Sequence, residues 1–136
     1  MAVSLAALPR GHQFPPAPFT LAPDWVRDYV AAVDDTAIVS VGDGLVPPMA
    51  LAALSIRALL ESAALPAGAV HLGQELCFHR PVSVGERLAA RAAVISRGER
   101  QGWVLMGVEL AVDDASGEVV MEGRATVTFP SDGSDP

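Results

Sequence analysis

Two of the chain's three histidines fall in one stretch, VHLGQELCFHRPVSVGERL, Val70 to Leu88. His79 and Arg80 form its most obvious polar pair. An arginine there has two uses. It can meet an anionic group such as a phosphate, or it can end a strand and anchor the turn that Pro81 begins. His71 and Glu75 stand four residues apart, which on a regular strand puts them on one face. They read as an acid–base pair or as a solvent-facing pair. Gln74 is set among apolar strand positions. If it faces inward its amide needs partners, either backbone groups or a bound ligand.

Four more groups could carry chemistry, Cys77 in the same stretch and three elsewhere. Asp34 and Asp35 follow a helical stretch, where an acidic residue opposes the helix dipole. A local hydrogen-bonding or site role for this pair would account for its place. Asp43 sits between two glycines and reads as a turn residue. Cys77, the single cysteine, has no neighbouring cation in sequence and reads as a packed thiol. Arg97 to Arg100, RGER, is a turn or a basic patch for an acidic or phosphate-bearing partner.

The elements that must hold these groups follow from periodicity. Residues 1–18 read as a loose arm, since PPAP at 15–18 favours extended backbone. FTL, 19–21, is a short strand. Pro23 opens a helix over about 24–34, with Trp25, Val26, Tyr29, Val30 and Val33 on one side. Thr20 or Asp24 is placed to cap it. A second helix, 48–63, starts at Pro47–Pro48, stops before Pro66 and Gly68, and is apolar nearly all round, as a buried helix would be. After Gly68 the period becomes that of strands. Four are expected, at 71–80, 87–97, 102–113 and 118–129, joined by turn-like PVSVGE, RGERQG and DDASGE. A long antiparallel meander after helical segments gives an α+β domain over 19–130, with a polar tail at 131–136. The economical packing wraps a curved sheet around helix 48–63. That leaves one sheet edge open, 71–80, which pairing with a second subunit would cover.

The totals narrow the function. The chain has 136 residues, one core's worth, and 51% of them are hydrophobic. Its net charge of −7 argues against nucleic acid and anionic membranes as partners. One cysteine excludes an intrachain disulfide and a cysteine-rich zinc site, and a cytoplasmic location is expected. No apolar run reaches the length of a membrane span.

The opening stretch also resembles a known family. Gln74, Leu76, Phe78, His79, Arg80 and Pro81, followed by Gly85, Glu86 and Leu88, are similar to the Q-x-F-x-[FY]-H-[RK]-P and G-[DE]-x-L pattern of MaoC-like dehydratase domains of the N-terminal type. Asp114, Gly117, Glu118, Val119 and Val120 fit the family's later turn. The resemblance covers 68–129 and implies a hotdog fold. It implies an acyl-CoA or acyl-carrier-protein thioester as ligand, with no other cofactor. Active members are (3R)-hydroxyacyl-thioester hydratases or dehydratases, with an Asp and a His in a D-x-N-P-x-H motif after the first helix. Water addition needs one group to take a proton and another to deliver one, both at the same water. The matching segment here, AAVDDTAIVSVGDG, offers Asp35 but neither Asn-Pro nor histidine.

The resemblance therefore implies a non-catalytic or divergent subunit, in a homodimer or in a heterodimer with a homologous catalytic hotdog joined through strand 71–80. Gln74, His79 and Arg80 are its substrate-binding candidates. Two alternatives stay open. One is a stand-alone acyl-thioester hydrolase with Asp35, Asp43 or Glu75 as base, and the other is an acyl-chain binding protein.

Overall fold

The structure is a computed structural model and describes residues 3–34 and 44–131. Its elements in chain order are β1 (Val3–Ser4), a 3-10 turn (Leu5–Ala7), β2 (Ala17–Thr20), α1 (Pro23–Val33), α2 (Pro48–Leu60), β3 (Ala63–Ala64), β4 (Val70–Phe78), β5 (Arg87–Arg100), β6 (Trp103–Asp114) and β7 (Val119–Pro130). A five-stranded antiparallel sheet runs in the order β2-β5-β6-β7-β4, and α2 lies against β2 and β5 on its inner face. This is the expected α+β hotdog arrangement. Among the described residues no helix is long and apolar enough to cross a membrane.

Strict alternation builds the inner face. Val104, Met106, Leu110 and Val112 of β6 are buried, as are Met121, Val127 and Phe129 of β7. On β5, Leu88, Ala90, Ala92 and Val94 do the same with smaller side chains, which lets α2 approach. β5 runs to Arg100, three residues beyond the expected end, because its turn is only Gln101–Gly102. Both residues have left-handed φ, 53° and 82°, as the tightest hairpin loops require.

The arm is not loose. Leu5, Leu8 and Phe14 are buried in the core. Gly11 and Phe14 donate backbone hydrogen bonds to β5, β1 pairs in parallel with β3, and β2 begins at Ala17 rather than Phe19. The prolines keep this segment extended, and long-range apolar anchors fix it.

Helix α1 begins at Pro23 with Ala22 as an uncapped N-cap, so neither Thr20 nor Asp24 fills that role. Asp24 instead pairs with Arg27 at 2.8 Å. Asp34 closes the helix in the left-handed conformation, φ 54°, its N–H reaching back to the last turn. Aspartate tolerates that conformation better than most residues, which accounts for its place after a helix despite the dipole.

Helix α2 ends at Leu60, not 63, where Ser62 donates from both N–H and Oγ to the Leu59 carbonyl. It is buried on one face only. Ala50, Leu51, Ala52, Ser55 and Leu59 face inward, while Met49, Ala53, Arg57 and Leu60 form an exposed stripe. The expectation of burial on most sides fails because the sheet covers one side of the helix.

β4 is a sheet edge. It pairs with β7 alone, and Val70, Leu72 and Phe78 are exposed along it. Its register shifts between His71 and Gly73, the mark of a bulge.

Candidate functional site

The bulge decides which side chains of β4 face the interior. Downstream of it, Gln74, Leu76 and Phe78 pair across from Ala125, Gly123 and Met121 of β7, all on the inner face. Upstream, the extra residue reverses the alternation, and His71 joins Gln74 against the core. The two line one cavity of about 250 Å³, walled otherwise by apolar side chains from the arm, the C-terminal half of α2 and the inner sheet. Phe14, Ile56, Leu59, Val108 and Leu110 are among these walls. His71 and Glu75 are therefore not a pair, because Glu75 lies on the outer face. There it lines a polar surface with Cys77, Arg91, Glu109, Glu122 and Arg124. Cys77 is exposed rather than packed, since it shares that parity.

Gln74 is held at one end only. Its Nε2 donates to the carbonyls of Glu75 and Arg124, each at 3.2 Å. Both partners are acceptors, so the amide cannot be turned round without loss. Its Oε1 is buried and has no partner among the described residues.

His79 and Arg80 lie at the other end of α2. With Phe78, Leu45, Pro48 and Leu51 they line an open cleft beside the first turn of that helix, which no side chain caps. Pro48, the first residue of that turn, has no N–H, and Ala50 and Leu51 both donate to the Pro47 carbonyl. His79 itself turns outward, with Nε2 3.6 Å from Glu122 Oε1. Arg80 donates to Glu86, to Asp114 Oδ2 at 2.8 Å and to the Pro81 carbonyl at 2.8 Å. Asp114 Oδ1 in turn accepts from Ser116 N–H, Ser116 Oγ and Glu118 N–H. Hydrogen bonds from Arg80, then from Ser116, hold the Asp114 carboxyl well below the usual carboxylate range. Arg80 also holds Glu86 down, while Glu86 and then Asp114 push the guanidinium up.

The triad ties two turns together, and the first of them positions α2. Val82 accepts from Val46 N–H at 2.8 Å, Val84 donates to Gly44 at 2.7 Å, and Gly85 donates to Leu21 at 2.9 Å. The chain entering α2 is thus laid along the turn that Arg80 braces. Both terminal guanidinium nitrogens of Arg80 are engaged within the protein. Of the three substrate-binding candidates, the structure brings Gln74 to a cavity and places His79 and Arg80 at the rim of the cleft. Asp35 and Asp43 lie outside the described residues. The part of the site missed by sequence reading is the apolar wall from the arm, Leu5 and Phe14, and the inward turn of His71. The glycine in HLG was the available sign of the bulge.

Residues 9–123 match the family model described as FAS1-like, dehydratase domain region. No curated protein matches. The fold is shared with solved structures. A truncated (3R)-hydroxyacyl-ACP dehydratase complex, HadBC, from Mycobacterium tuberculosis is 24% identical, with TM-score 0.72 over 92% of this chain and 100% of that one. An (R)-hydratase of A. caviae involved in PHA biosynthesis is 22% identical, with TM-score 0.71 over 91% and 98%. A MaoC-like dehydratase from Rhodospirillum rubrum is 18% identical, with TM-score 0.74 over 95% and 97%. The match spans the arm, α2, the Arg80 turn and most of the sheet, and on that ground the chain belongs to the FAS1-like dehydratase domain family, with the hotdog fold of MaoC-like dehydratases and hydratases.

Proposed function

We propose that this protein is a non-catalytic or divergent subunit of a (3R)-hydroxyacyl-thioester dehydratase or hydratase. It supplies an acyl-binding wall and a sheet edge to a homologous catalytic hotdog. The observation that carries this reading is the placement of the apolar cavity directly inside the edge strand β4, which pairs with β7 alone, with no carboxylate among its described lining residues. The three histidines support it. His12 packs edge-on against Phe14, His79 faces outward to Glu122, and His71 has no carboxylate beside it in the cavity. None follows α1, where the family's catalytic histidine belongs.

On this reading the acyl chain enters at the cleft beside the first turn of α2 and extends toward Gln74. The carrier is CoA or an acyl carrier protein, no further cofactor takes part, and the setting is cytoplasmic. The subunit is placed with its partner through β4, as a heterodimer in preference to a homodimer. The solved HadBC structure, a complex of related dehydratase chains, supports that choice. The hydrolase alternative loses one of its three bases, since Glu75 faces away from both the cavity and the cleft.

The test is turnover of crotonyl-CoA and a longer 2-enoyl-CoA by the purified chain, alone and with a homologous subunit that carries the D-x-N-P-x-H motif. Silence alone and hydration with the partner, faster than the partner achieves by itself, is the expected result. Hydration by the single chain, abolished by Asp35→Asn, would make it an enzyme in its own right. Silence in both arms with retained acyl binding would make it a binding protein.

A further inference from the structure

The outer face of the sheet changes character along its strands. At the end nearest the β5–β6 hairpin it is apolar. Trp103, Leu105 and Val70 are each about half exposed there, at 48%, 52% and 49%. The register sets Pro130 beside Trp103, and Thr128 between Leu105 and Val70. Large apolar side chains exposed together, with a tryptophan among them, mark an interaction surface. In the middle the face carries only small side chains. Gly107 lies between Ser96 and Thr126, and Thr126 is followed by Gly73. A Cβ on Gly107 would stand 2.5 Å from Ser96 Oγ, so this row stays low. At the far end the face is charged. Glu109 stands opposite Arg124, and Arg124 opposite Glu75. Among the described residues none of these three is in an ion pair within the chain.

We propose that this outer face docks a second copy of the chain, sheet against sheet, about a twofold axis that runs along the strands between β6 and β7. The charge pattern selects that axis. Rotation about it lays β6 on the β7 of the second copy at the same height. Glu109 then meets Arg124 of the second copy, and Arg124 meets its Glu109, so two opposite-charge contacts form for one rotation. The same rotation sets Trp103 on Pro130, Leu105 on Thr128 and Gly107 on Thr126. Apolar residues thus meet apolar ones, and the low middle rows let the sheets approach. The strands of the two copies run close to parallel, as in aligned sheet packing. An axis across the strands would instead set the apolar end on the charged end. A nucleic acid or an anionic membrane suits the face less well, because Glu75, Glu109 and Glu122 share it with Arg91 and Arg124. The contact uses the face of β4 and leaves its edge free. It is therefore independent of the acyl-binding reading and compatible with a different subunit at that edge.

The experiment is sedimentation of the full chain over a concentration series, with charge reversals made singly, together and in mixture. The unaltered chain should show a reversible dimer that weakens as salt is added. Glu109→Arg alone and Arg124→Glu alone each bring like charges together across the axis, and each should weaken the dimer by about tenfold or more. An equimolar mixture of these two variants should associate again, because each then offers the other the opposite charge at both contacts. One chain carrying both reversals should also recover. Any cost of a reversal to the fold, read as a melting temperature, is not repaired by mixing, which separates the two effects. Trp103→Ser should weaken the dimer by about tenfold or more without altering charge, and it carries the test if a reversed chain does not fold. A monomer at every concentration overturns the inference and leaves the face to a different protein. A dimer indifferent to these variants, such as one formed through the β4 edge, overturns it too. So does a loss in both single reversals that mixing does not restore.

Discussion

The turn after β4 and the inner face of β4 are a few residues apart in sequence and opposite in character. At the turn, Arg80, Glu86 and Asp114 satisfy one another, and Ser116 and Glu118 complete the set. At the inner face, Gln74 is satisfied on one side and left open on the other. A closed polar network is what a frame looks like, because each group has found its partner within the fold. The most conspicuous residues of the motif thus build the frame. The plainer glutamine lines the cavity.

That contrast can be broken from the frame side first. Gly123 of β7 pairs with Leu76, and a Cβ there would run into the Glu75 carbonyl. Gly123→Ala should destabilise the fold by about 3 kcal/mol, the upper end for overpacking, in urea unfolding. A loss under about 0.5 kcal/mol, the size of an ordinary surface change, would mean that β4 sits less tightly on β7 than described. Next comes Arg80→Ala, which leaves Asp114, only 10% exposed, without its cation. The melting temperature should fall by several degrees, moderated by the exposure of Arg80 itself, while the folded fraction still binds acyl thioesters. Lost binding at unchanged stability would assign Arg80 to the ligand instead.

The pH dependence sharpens the same point with a smaller effect. Both Glu86 and Asp114 have carboxyls held below their ordinary values of 4.5 and 3.8. A depressed carboxyl stabilises the fold fully above its unfolded pKa, and that contribution drains away as pH falls through the folded value. Stability should therefore hold from neutral pH down to about 5 and decline below it. The decline should be shallower in Arg80→Ala, as followed by melting temperature across an acid series. Equal acid slopes in the two proteins would remove the triad from the account. The smallest effect belongs to the cavity. Gln74→Leu gives up two long hydrogen bonds but also deletes an unpaired acceptor, so unfolding free energy should change by less than about 1 kcal/mol. A larger loss would place Gln74 with the frame.

The sequence makes the sheet legible because β5, β6 and β7 alternate cleanly and are separated by short turns. It makes α1 legible because Trp25, Val26 and Tyr29 repeat at helical spacing. Other features depend on partners distant in the chain. The arm looked loose because PPAP describes only its backbone, whereas Leu5 and Phe14 are anchored by the core. Helix α2 looked buried all round because alanines do not say which of their sides the sheet will cover. On β4, simple alternation paired His71 with Glu75, and the single extra residue before Gly73 sent them to opposite faces. The family pattern pointed to the right stretch and the right fold. It singled out Gln74, His79 and Arg80 alike, and only the hydrogen bonds separate the one that meets the cavity from the one that braces a turn.

The position of β4 in the sheet has a consequence during synthesis. β5, β6 and β7 each pair with a strand made just before or just after them. β4 must wait for β7, with Gln74 and its partner Arg124 fifty residues apart. At ordinary elongation speeds of about 5–20 residues per second, that delay is roughly 3–10 s. Throughout it, a strand carrying Val70, Leu72 and Phe78 has neither of its neighbours. Even after β7 arrives, the other side of β4 stays open. The nascent chain is thus most exposed to misassociation through that strand, and if the proposed partner docks there, production alongside it should raise the soluble yield.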